Sequence, residues 1–446
     1  MFIQSLDWRN LELPSFTKKF LWNAQRYFVL PFEAVLSTFI GVLATVCQQK
    51  FVVTAPMIHE LNDLSTTHRL NLFTVSFHKS QSGYSPLLET FLKPLDNLHQ
   101  EKKLQTTHYP LYISDISYDE LLSLFMNYNT SCISFIDYTP TILEQCRKDR
   151  RLYHFLLKGF DNSPTRLFNR EKKKIVSINP LVSIAMYIPF LPMEIRNFFF
   201  DTEFMSRTLP FFSSIPTFRD EYIDENGWSV ILQQYRSRLY AIADFQDKSN
   251  NNLSVIKLSE KALEMYGQYI LQLRDVDYGV HPALSGWFDH SAYMLVKLAA
   301  LLYLFENGNN LNNNSFVIPY EYMVMALFII RHCLITLTMI YKQYITVTDI
   351  TIYSKIYQKC RKILLDITKP FKDPFTSRDL QRACKIDANK AKIIIKLMIE
   401  ERLIRPYKVE TDVKTKGRKK GLRFKIIYPL YPFLLRLEQS KETSKL

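Results

Sequence analysis

The sequence predicts an α/β core preceded by helices, followed by a helical domain, and completed by a C-terminal winged-helix domain. Three observations lead to this fold class. Residues 73–92 run from an alternating apolar strand through a polar loop into a helix. Residues 131–137 form a second apolar strand that ends in an acid. Residues 355–425 combine short helices and a hairpin pattern with a dense positive charge.

The length of 446 residues predicts two to four domains, and 47% hydrophobic residues are enough to build packed cores. Shifts in composition and periodicity divide the chain into five segments. These are an N-terminal helical region (1–50), an α/β core (51–220), a helical domain (221–345), a winged helix (355–430) and a polar tail (431–446).

Composition argues against several classes of protein. The chain has ten glycines, where average usage of about 7% gives roughly thirty, which disfavours an enzyme built on glycine-rich loops. Six scattered cysteines without a C-x-x-C pair predict no metal site and a reducing compartment. Charged residues interrupt the N-terminal apolar residues, and Arg331 and His332 interrupt the most apolar run. We therefore expect no signal peptide, no membrane span and a cytoplasmic location.

The loop after the first core strand matches a phosphate-binding loop in part. In the motif G-x-x-x-x-G-K-[ST], backbone N–H groups and a lysine hold phosphates, and the hydroxyl binds magnesium. Gly83 and Ser85 keep two of these positions, whereas His78 stands at the first glycine and Tyr84 at the lysine. Taken alone, these residues favour an ordinary strand–turn–helix.

The segments around this loop extend the α/β pattern. Apolar periodicity predicts helices over 16–28 and 32–47, and Ser117 with Glu120 predicts a capping box. The strand ending in Asp137 presents an acid of the kind that binds magnesium in nucleotide-binding cores, although Tyr138 follows it instead of a second carboxylate. Two apolar strands joined by helices predict parallel pairing, with the 72–77 strand beside the 132–137 strand.

Later segments continue in the same way. Residues 175–181 predict one strand, and helical periodicity covers 228–243, 259–273, 291–305 and 319–341. The isolated histidines His281, His290 and His332 are expected in the core or on the surface rather than as ligands.

Together, these segments make the chain resemble a domain family of unknown function found in primase–helicase-like proteins of prophages, plasmids and mobile elements. Members of that family resemble P-loop NTPases of the RecA/AAA+ type. The resemblance covers roughly residues 10–345. The matching segments are, in chain order, the loop, 118–122, the strand ending in Asp137, 157–162, 204–209 and 295–302.

The resemblance implies a P-loop NTPase-like core, and at Arg207 a sensor or trans-acting arginine. The departures at His78, Tyr84 and Tyr138 affect one site and predict a degenerate nucleotide pocket. Because the lysine and the magnesium ligands supply most of the stabilisation of phosphate charge, we expect no hydrolysis. No cofactor is expected. ATP and magnesium are expected as ligands only if the degenerate loop still binds them.

The C-terminal segment carries the strongest functional signal. Residues 355–425 contain 22 Lys and Arg against 8 Asp and Glu, a balance of +14 that equals the net charge of the whole chain. Helix one is predicted over 356–367, helix two from Thr376, helix three from Asp387, and a hairpin over 408–428. Candidate nucleic-acid contacts lie on helix three (Asn389, Lys390, Lys392 and Lys396), at the wing tip (Lys414, Lys416, Arg418, Lys419 and Lys420) and at Arg423.

These features predict a nucleic-acid-binding, catalytically degenerate primase–helicase-like protein that acts in the replication or control of a mobile element. Its expected partners are single- or double-stranded DNA and replication proteins of the same element. Two alternatives remain open at this point. One is an active NTPase or helicase with a non-standard loop, and the other is a protein–protein adaptor on an inactive ATPase scaffold.

Overall fold

The structure of the protein is a computed structural model. It describes residues 11–56, 65–78, 84–103, 112–127, 132–137, 141–169, 174–189, 202–212, 225–245, 253–276, 282–311, 316–340, 375–386, 404–407 and 423–426, with single residues and pairs between 359 and 399.

The chain divides into two compact units. The first consists of Met1–Tyr269 and Asp289–Ile340, and the second of Ile270–Phe288 and Tyr341–Leu446. The predicted boundaries after residues 50 and 220 both fall within the first unit.

The chain up to residue 340 contains both helices and strands. The helices are α1 (Ser15–Phe28), α2 (Phe32–Cys47), α3 (Tyr84–Lys103), α4 (Tyr118–Asn127), α5 (Thr141–Lys148), α6 (Arg150–Phe160), α7 (Thr202–Ser206), α8 (Glu225–Asp244), α9 (Glu260–Val276), α10 (Pro282–Glu306) and α11 (Tyr320–Ile340). The strands are β1 (Phe51–Pro56), β2 (Ser65–Arg69), β3 (Phe73–His78), β4 (Cys132–Asp137), β5 (Thr165–Asn169), β6 (Lys174–Ile178), β7 (Leu181–Pro189), β8 (Thr208–Phe212), β9 (Ser254–Leu258) and β10 (Phe316–Ile318).

A parallel sheet with the strand order β4-β7-β3-β8 forms the centre of the first unit. Its strands are buried on both faces, and the polar residues that they contain, such as Thr74 and Ser76 on β3, are buried with the apolar ones. The prediction that β3 and β4 share a parallel sheet is confirmed, but the prediction that they are neighbours is wrong. Strand β7 lies between them, pairing Ile184 with Phe73 on one side and with Phe135 on the other.

The predicted single strand over 175–181 is also wrong. The chain forms β6 up to Ile178, passes through Asn179 and Pro180, and begins β7 at Leu181. Proline has no backbone N–H to donate to a sheet, which favours an interruption at this point. Strand β6 pairs with β5 as an antiparallel hairpin, whereas β7 joins the central sheet.

Helix α2 packs against this sheet, and all 16 of its residues are buried, as its nearly continuous apolar sequence predicts. Gly41 allows the close approach, because a Cβ at this position would lie 2.3 Å from the Cβ of Ala185 on β7. The capping box before α4 is also confirmed. The Ser117 hydroxyl donates to Glu120 at 2.7 Å, and the Glu120 N–H donates back to Ser117 Oγ at 3.3 Å.

A second sheet has the order β10-β9-β1-β2. Strand β1 pairs antiparallel with β2 and parallel with β9, which in turn pairs parallel with β10. The sheet therefore joins strands that are about 200 residues apart in the sequence. Strands β9 and β10 were not predicted, because runs of five and three residues give almost no periodicity.

Two helical segments are long and apolar enough to cross a membrane by length and composition, Gly286–Glu306 and Tyr320–Met339. Of the tested windows, 78% of the first and 50% of the second are buried inside the protein. Burial of this kind is also found in the core helices of soluble proteins.

Glu306, at the end of α10, caps the first turn of α1. Its carboxylate accepts the backbone N–H groups of Phe16 and Thr17, both at 3.1 Å, and the Thr17 hydroxyl at 2.8 Å. Position Pro14 provides no side-chain cap for this helix. The carboxylate satisfies N–H groups that have no partner within the helix, and its charge is favourable near the helix N-terminus.

Replacing Glu306 with Ala is expected to lower the free energy of unfolding by about 2–3 kcal/mol. The change removes a helix cap and leaves buried donors without a partner. Urea unfolding of Glu306→Ala and of Glu12→Ala, which changes an exposed acid, measures the effect. Equal midpoints for the two variants would show that Glu306 contributes no cap.

The second unit contains a three-stranded antiparallel sheet in the order β11-β13-β12, formed by β11 (Phe375–Thr376), β12 (Ile404–Tyr407) and β13 (Arg423–Ile426). Helix α12 (Ser377–Cys384) follows β11 directly, at the place where helix two was predicted to begin. A capping box between Thr376 and Asp379, which was not predicted, starts it. Ile394, Ile395 and Met398 belong to one buried hydrophobic cluster with Phe375 and Phe424.

Candidate functional site

The carboxyl ends of the parallel strands are the expected ligand edge of this kind of sheet. His78 ends β3 there, and Tyr84 begins α3 after the loop. The His78 and Tyr84 rings lie 4.6 Å apart between centroids, and Tyr84 lies 4.8 Å from Tyr187 on β7. All three side chains are at most 4% exposed. The two residues that replace the glycine and the lysine of the phosphate loop therefore pack as a buried aromatic cluster.

Tyr187 adds no cation to this cluster. The Tyr187 hydroxyl is hydrogen-bonded to the Thr38 hydroxyl on α2. Burial raises the pKa of Tyr187 above its ordinary value, and the hydrogen bond to Thr38 opposes part of this shift. Tyr187 is therefore neutral at physiological pH and offers no charge to a phosphate.

Asp137 lies at the same edge of the sheet but on a different strand. It ends β4 and is 8% exposed. Because β7 separates β4 from β3, two strand spacings, about 10 Å, lie between them. Gly83 lies outside the described residues, and Ser85 is half-buried in the first turn of α3.

A cavity of about 330 Å³ opens beside α3. Ser85, Leu88 and Tyr112 contribute to its lining, with Glu89, Lys93 and Asp96 as its charged residues. Tyr112 donates its hydroxyl to Asp96 at 2.5 Å. Two acids against one base make this cavity a poor site for a triphosphate.

Arg207 lies at the opposite edge of the sheet. It immediately precedes β8, whose first residue Thr208 pairs with Phe73 at the start of β3. The guanidinium is bound to Asp161 through Nε at 3.0 Å and Nη2 at 2.7 Å, and it also donates to the Glu203 carbonyl at 3.0 Å. The sheet therefore does not bring Arg207 together with His78, Tyr84 and Asp137.

Next to this ion pair lies a buried lysine. Lys297 on α10 donates to the backbone carbonyl of Asn71 at 3.2 Å and to its side-chain oxygen at 3.0 Å. Its ammonium also lies 4.5 Å from the centre of the Phe160 ring. Burial lowers the pKa of Lys297 to about 7, and the charge of Asp161 opposes the shift. Burial likewise lowers the pKa of His290 to about 4, as expected for a core histidine.

Three segments on which the family resemblance depends meet at this edge, those around Asp161, Arg207 and Lys297. Asn71 joins them to the sheet by donating to the carbonyls of Gly159, Phe160 and Val182 at 2.9–3.1 Å. The polar groups of Asn71, Asp161, Arg207 and Lys297 are hydrogen-bonded to one another or to nearby carbonyls, so the geometry indicates a structural junction.

Most of the predicted nucleic-acid contacts lie outside the described residues. These are Asn389, Lys390, Lys392, Lys396, Lys414, Lys416, Arg418, Lys419 and Lys420. Arg423 begins β13, where it pairs with Tyr407. The segment 408–422, which contains the wing-tip residues, therefore connects two paired antiparallel strands.

Three exposed basic residues of the second unit were not among the predicted nucleic-acid contacts. Arg378, Arg382 and Lys385 are exposed along α12 and at its end. Their i, i+4, i+7 spacing was visible in the sequence and predicts one helix face. Among the residues that the structure describes, no group of three or more His, Cys, Asp or Glu side chains could hold a metal ion.

Comparisons with known proteins give little further information. No protein-family model matches the chain, and no curated protein matches it. Among solved structures, the chain is similar to the apo structure, in its A form, of the C-terminal region of NrS-1. The identity is 14% over 95% of this chain and 79% of that chain, with a TM-score of 0.27. This likeness is weak and carries no part of the functional argument.

Proposed function

We propose that the protein binds nucleic acid through its C-terminal unit and serves in the replication or control of a mobile element, with a nucleotide crevice that no longer hydrolyses ATP. The mobile-element context rests on the family resemblance of the sequence. The nucleic-acid proposal rests on one observation, the concentration of the positive charge in one small unit.

The position of that charge supports nucleic acid as the partner. The five basic residues between 414 and 420 fall in the connection between β12 and β13. Five cations within seven residues are not a sequence expected in a packed core, because charged side chains are costly to bury. Phosphate groups are the partner that such a cluster attracts most strongly, because each contact releases condensed counterions.

The filling of the crevice supports the loss of hydrolysis. Tyr84 provides no charge for the outer phosphates, and its ring is buried against His78 and Tyr187. A phosphoryl-transfer site depends almost entirely on positioned positive charge and magnesium. Rebuilding that site would require moving a buried ring as well as adding a cation.

We expect purified protein to release phosphate from ATP at well below about 1 per second, the low end of typical enzyme turnover. A steady-state phosphate-release assay measures this. Asp137→Asn is the matched control, because it removes the acid at the ligand edge without changing its size. Turnover above that rate in the wild type, and its loss in Asp137→Asn, would contradict the proposal and identify an active NTPase.

The nucleic-acid proposal is tested by titrating labelled single- and double-stranded DNA with the full chain at several salt concentrations, with and without ATP. We expect the logarithm of the affinity for duplex to fall with the logarithm of salt at a slope of about −4 or steeper. ATP should leave the curves unchanged. An ATP-dependent gain in affinity would favour the helicase alternative, and no binding to either DNA would favour the adaptor.

A further inference from the structure

Helix α12 of the C-terminal unit presents a row of positive charge. Arg378 and Arg382 are exposed and spaced i, i+4 on one side of the helix, and the exposed Lys385 follows its last residue, so the three positions extend over about 10 Å along the helix. We call them the α12 stripe. Among the residues that the structure describes, no carboxylate forms an ion pair with any of them. The acid within the helix, Asp379, is engaged in the capping box with Thr376.

Two members of the stripe stand where helix stability disfavours them. Arg378 lies in the first turn, close to the positive end of the helix dipole, where acids are preferred. Lys385 follows the last residue with a φ of 54°, in the left-handed region that favours glycine or asparagine. The cation in the first turn and the side chain at the left-handed position both go against a local preference on the surface, which is expected where such residues have a function.

We infer that the α12 stripe is a second phosphate-contacting surface of the C-terminal unit, one that binds the backbone of a DNA duplex. This inference rests on the proposed function, and it assigns residues that the wing and helix three do not include. Successive phosphates of one strand rise about 3.4 Å along the duplex, so a row of about 10 Å can follow roughly three of them. Contacts of this kind position a protein on the duplex and carry no sequence information.

The test uses the full chain with the variant Arg378→Ala/Arg382→Ala/Lys385→Gly. Alanine is the best helix former and glycine suits the left-handed position, which offsets the loss of the favourable cation Arg382 from the last turn. The thermal midpoint should therefore stay the same or rise. Duplex affinity near 0.1 M salt should fall on the order of a hundredfold, and the salt slope should become shallower by about 3. A structural role would instead lower the thermal midpoint and leave the slope unchanged.

A charge-matched control is Lys18→Ala/Lys19→Ala/Lys158→Ala, which removes three exposed positive charges from the first unit. If the stripe variant has the same salt slope as the wild type, the inference is overturned. If a wing-tip variant then loses duplex binding, the proposed function still stands. Absence of duplex binding by the wild type would instead overturn the proposed function itself. If the control makes the salt slope shallower by the same amount as the stripe variant does, the effect is a general one of net charge, and the inference is also overturned.

Discussion

Replacing Lys414, Lys416, Arg418, Lys419 and Lys420 together with alanine is expected to remove most of the electrostatic affinity for duplex DNA. If about four of the five contact phosphates, the salt slope should become shallower by about 4. Raising salt from 50 to 200 mM then costs the wild type at least about a hundredfold in affinity, and the variant considerably less.

The loss should be equal for all DNA sequences, because phosphate contacts do not distinguish bases. The control is Lys18→Ala/Lys19→Ala/Arg147→Ala/Lys148→Ala/Lys158→Ala, which removes five exposed positive charges from the first unit and lowers the net charge equally. Titration of all three proteins at several salt concentrations separates local contacts from net charge. Identical curves for the wild type and the wing-tip variant would favour an adaptor in which the hairpin contacts protein.

The stability of the wild type should increase with pH above neutrality because of Lys297. Its pKa is about 7 in the folded protein, against about 10.4 in an unfolded chain. Between these values the unfolded state binds a proton that the folded state does not, so the free energy of unfolding increases with pH. The slope approaches about 1.4 kcal/mol per pH unit, giving about 2 kcal/mol between pH 7 and pH 9.

Other titrating groups have to be separated from this effect. His68 and His290, which face Lys297, have pKa values lowered to about 3 and about 4, so both are neutral throughout the range. Buried thiols such as Cys132, whose pKa burial raises to about 12, favour unfolding above about pH 8.5, where free thiols ionise. That contribution is the same in the wild type and in a Lys297 variant, so it cancels in their difference.

The measurement is urea unfolding of the wild type and Lys297→Met at pH 7, 8 and 9. Between pH 7 and pH 9, the free energy of unfolding of the wild type should increase by about 2 kcal/mol more than that of Lys297→Met. Lys158→Met, which changes an exposed lysine on α6, should run parallel to the wild type. Parallel curves for Lys297→Met and the wild type would show that Lys297 keeps an ordinary pKa in the folded state.

The local elements and the distribution of charge follow from short-range sequence patterns. The capping box of Ser117 with Glu120 starts a helix where it was expected, because a cap depends on residues three apart. Helix two likewise begins after Thr376, as predicted. The apolar pattern of α2 predicted its burial, because an all-apolar helix has no face for water. The charge excess of residues 355–425 needed only a count.

Which elements pair or pack with each other depends on the tertiary fold. Strands β3, β4 and β7 are all buried, so their sequence patterns do not distinguish their neighbours, and β7 separates the other two. The same packing placed Tyr84 against Tyr187, a contact between residues more than 100 positions apart. It also placed Arg207 at the amino edge of the sheet with Asp161, away from the loop that sequence reasoning had grouped with it. The order of strands is set by long-range burial, and periodicity along the chain carries no record of it.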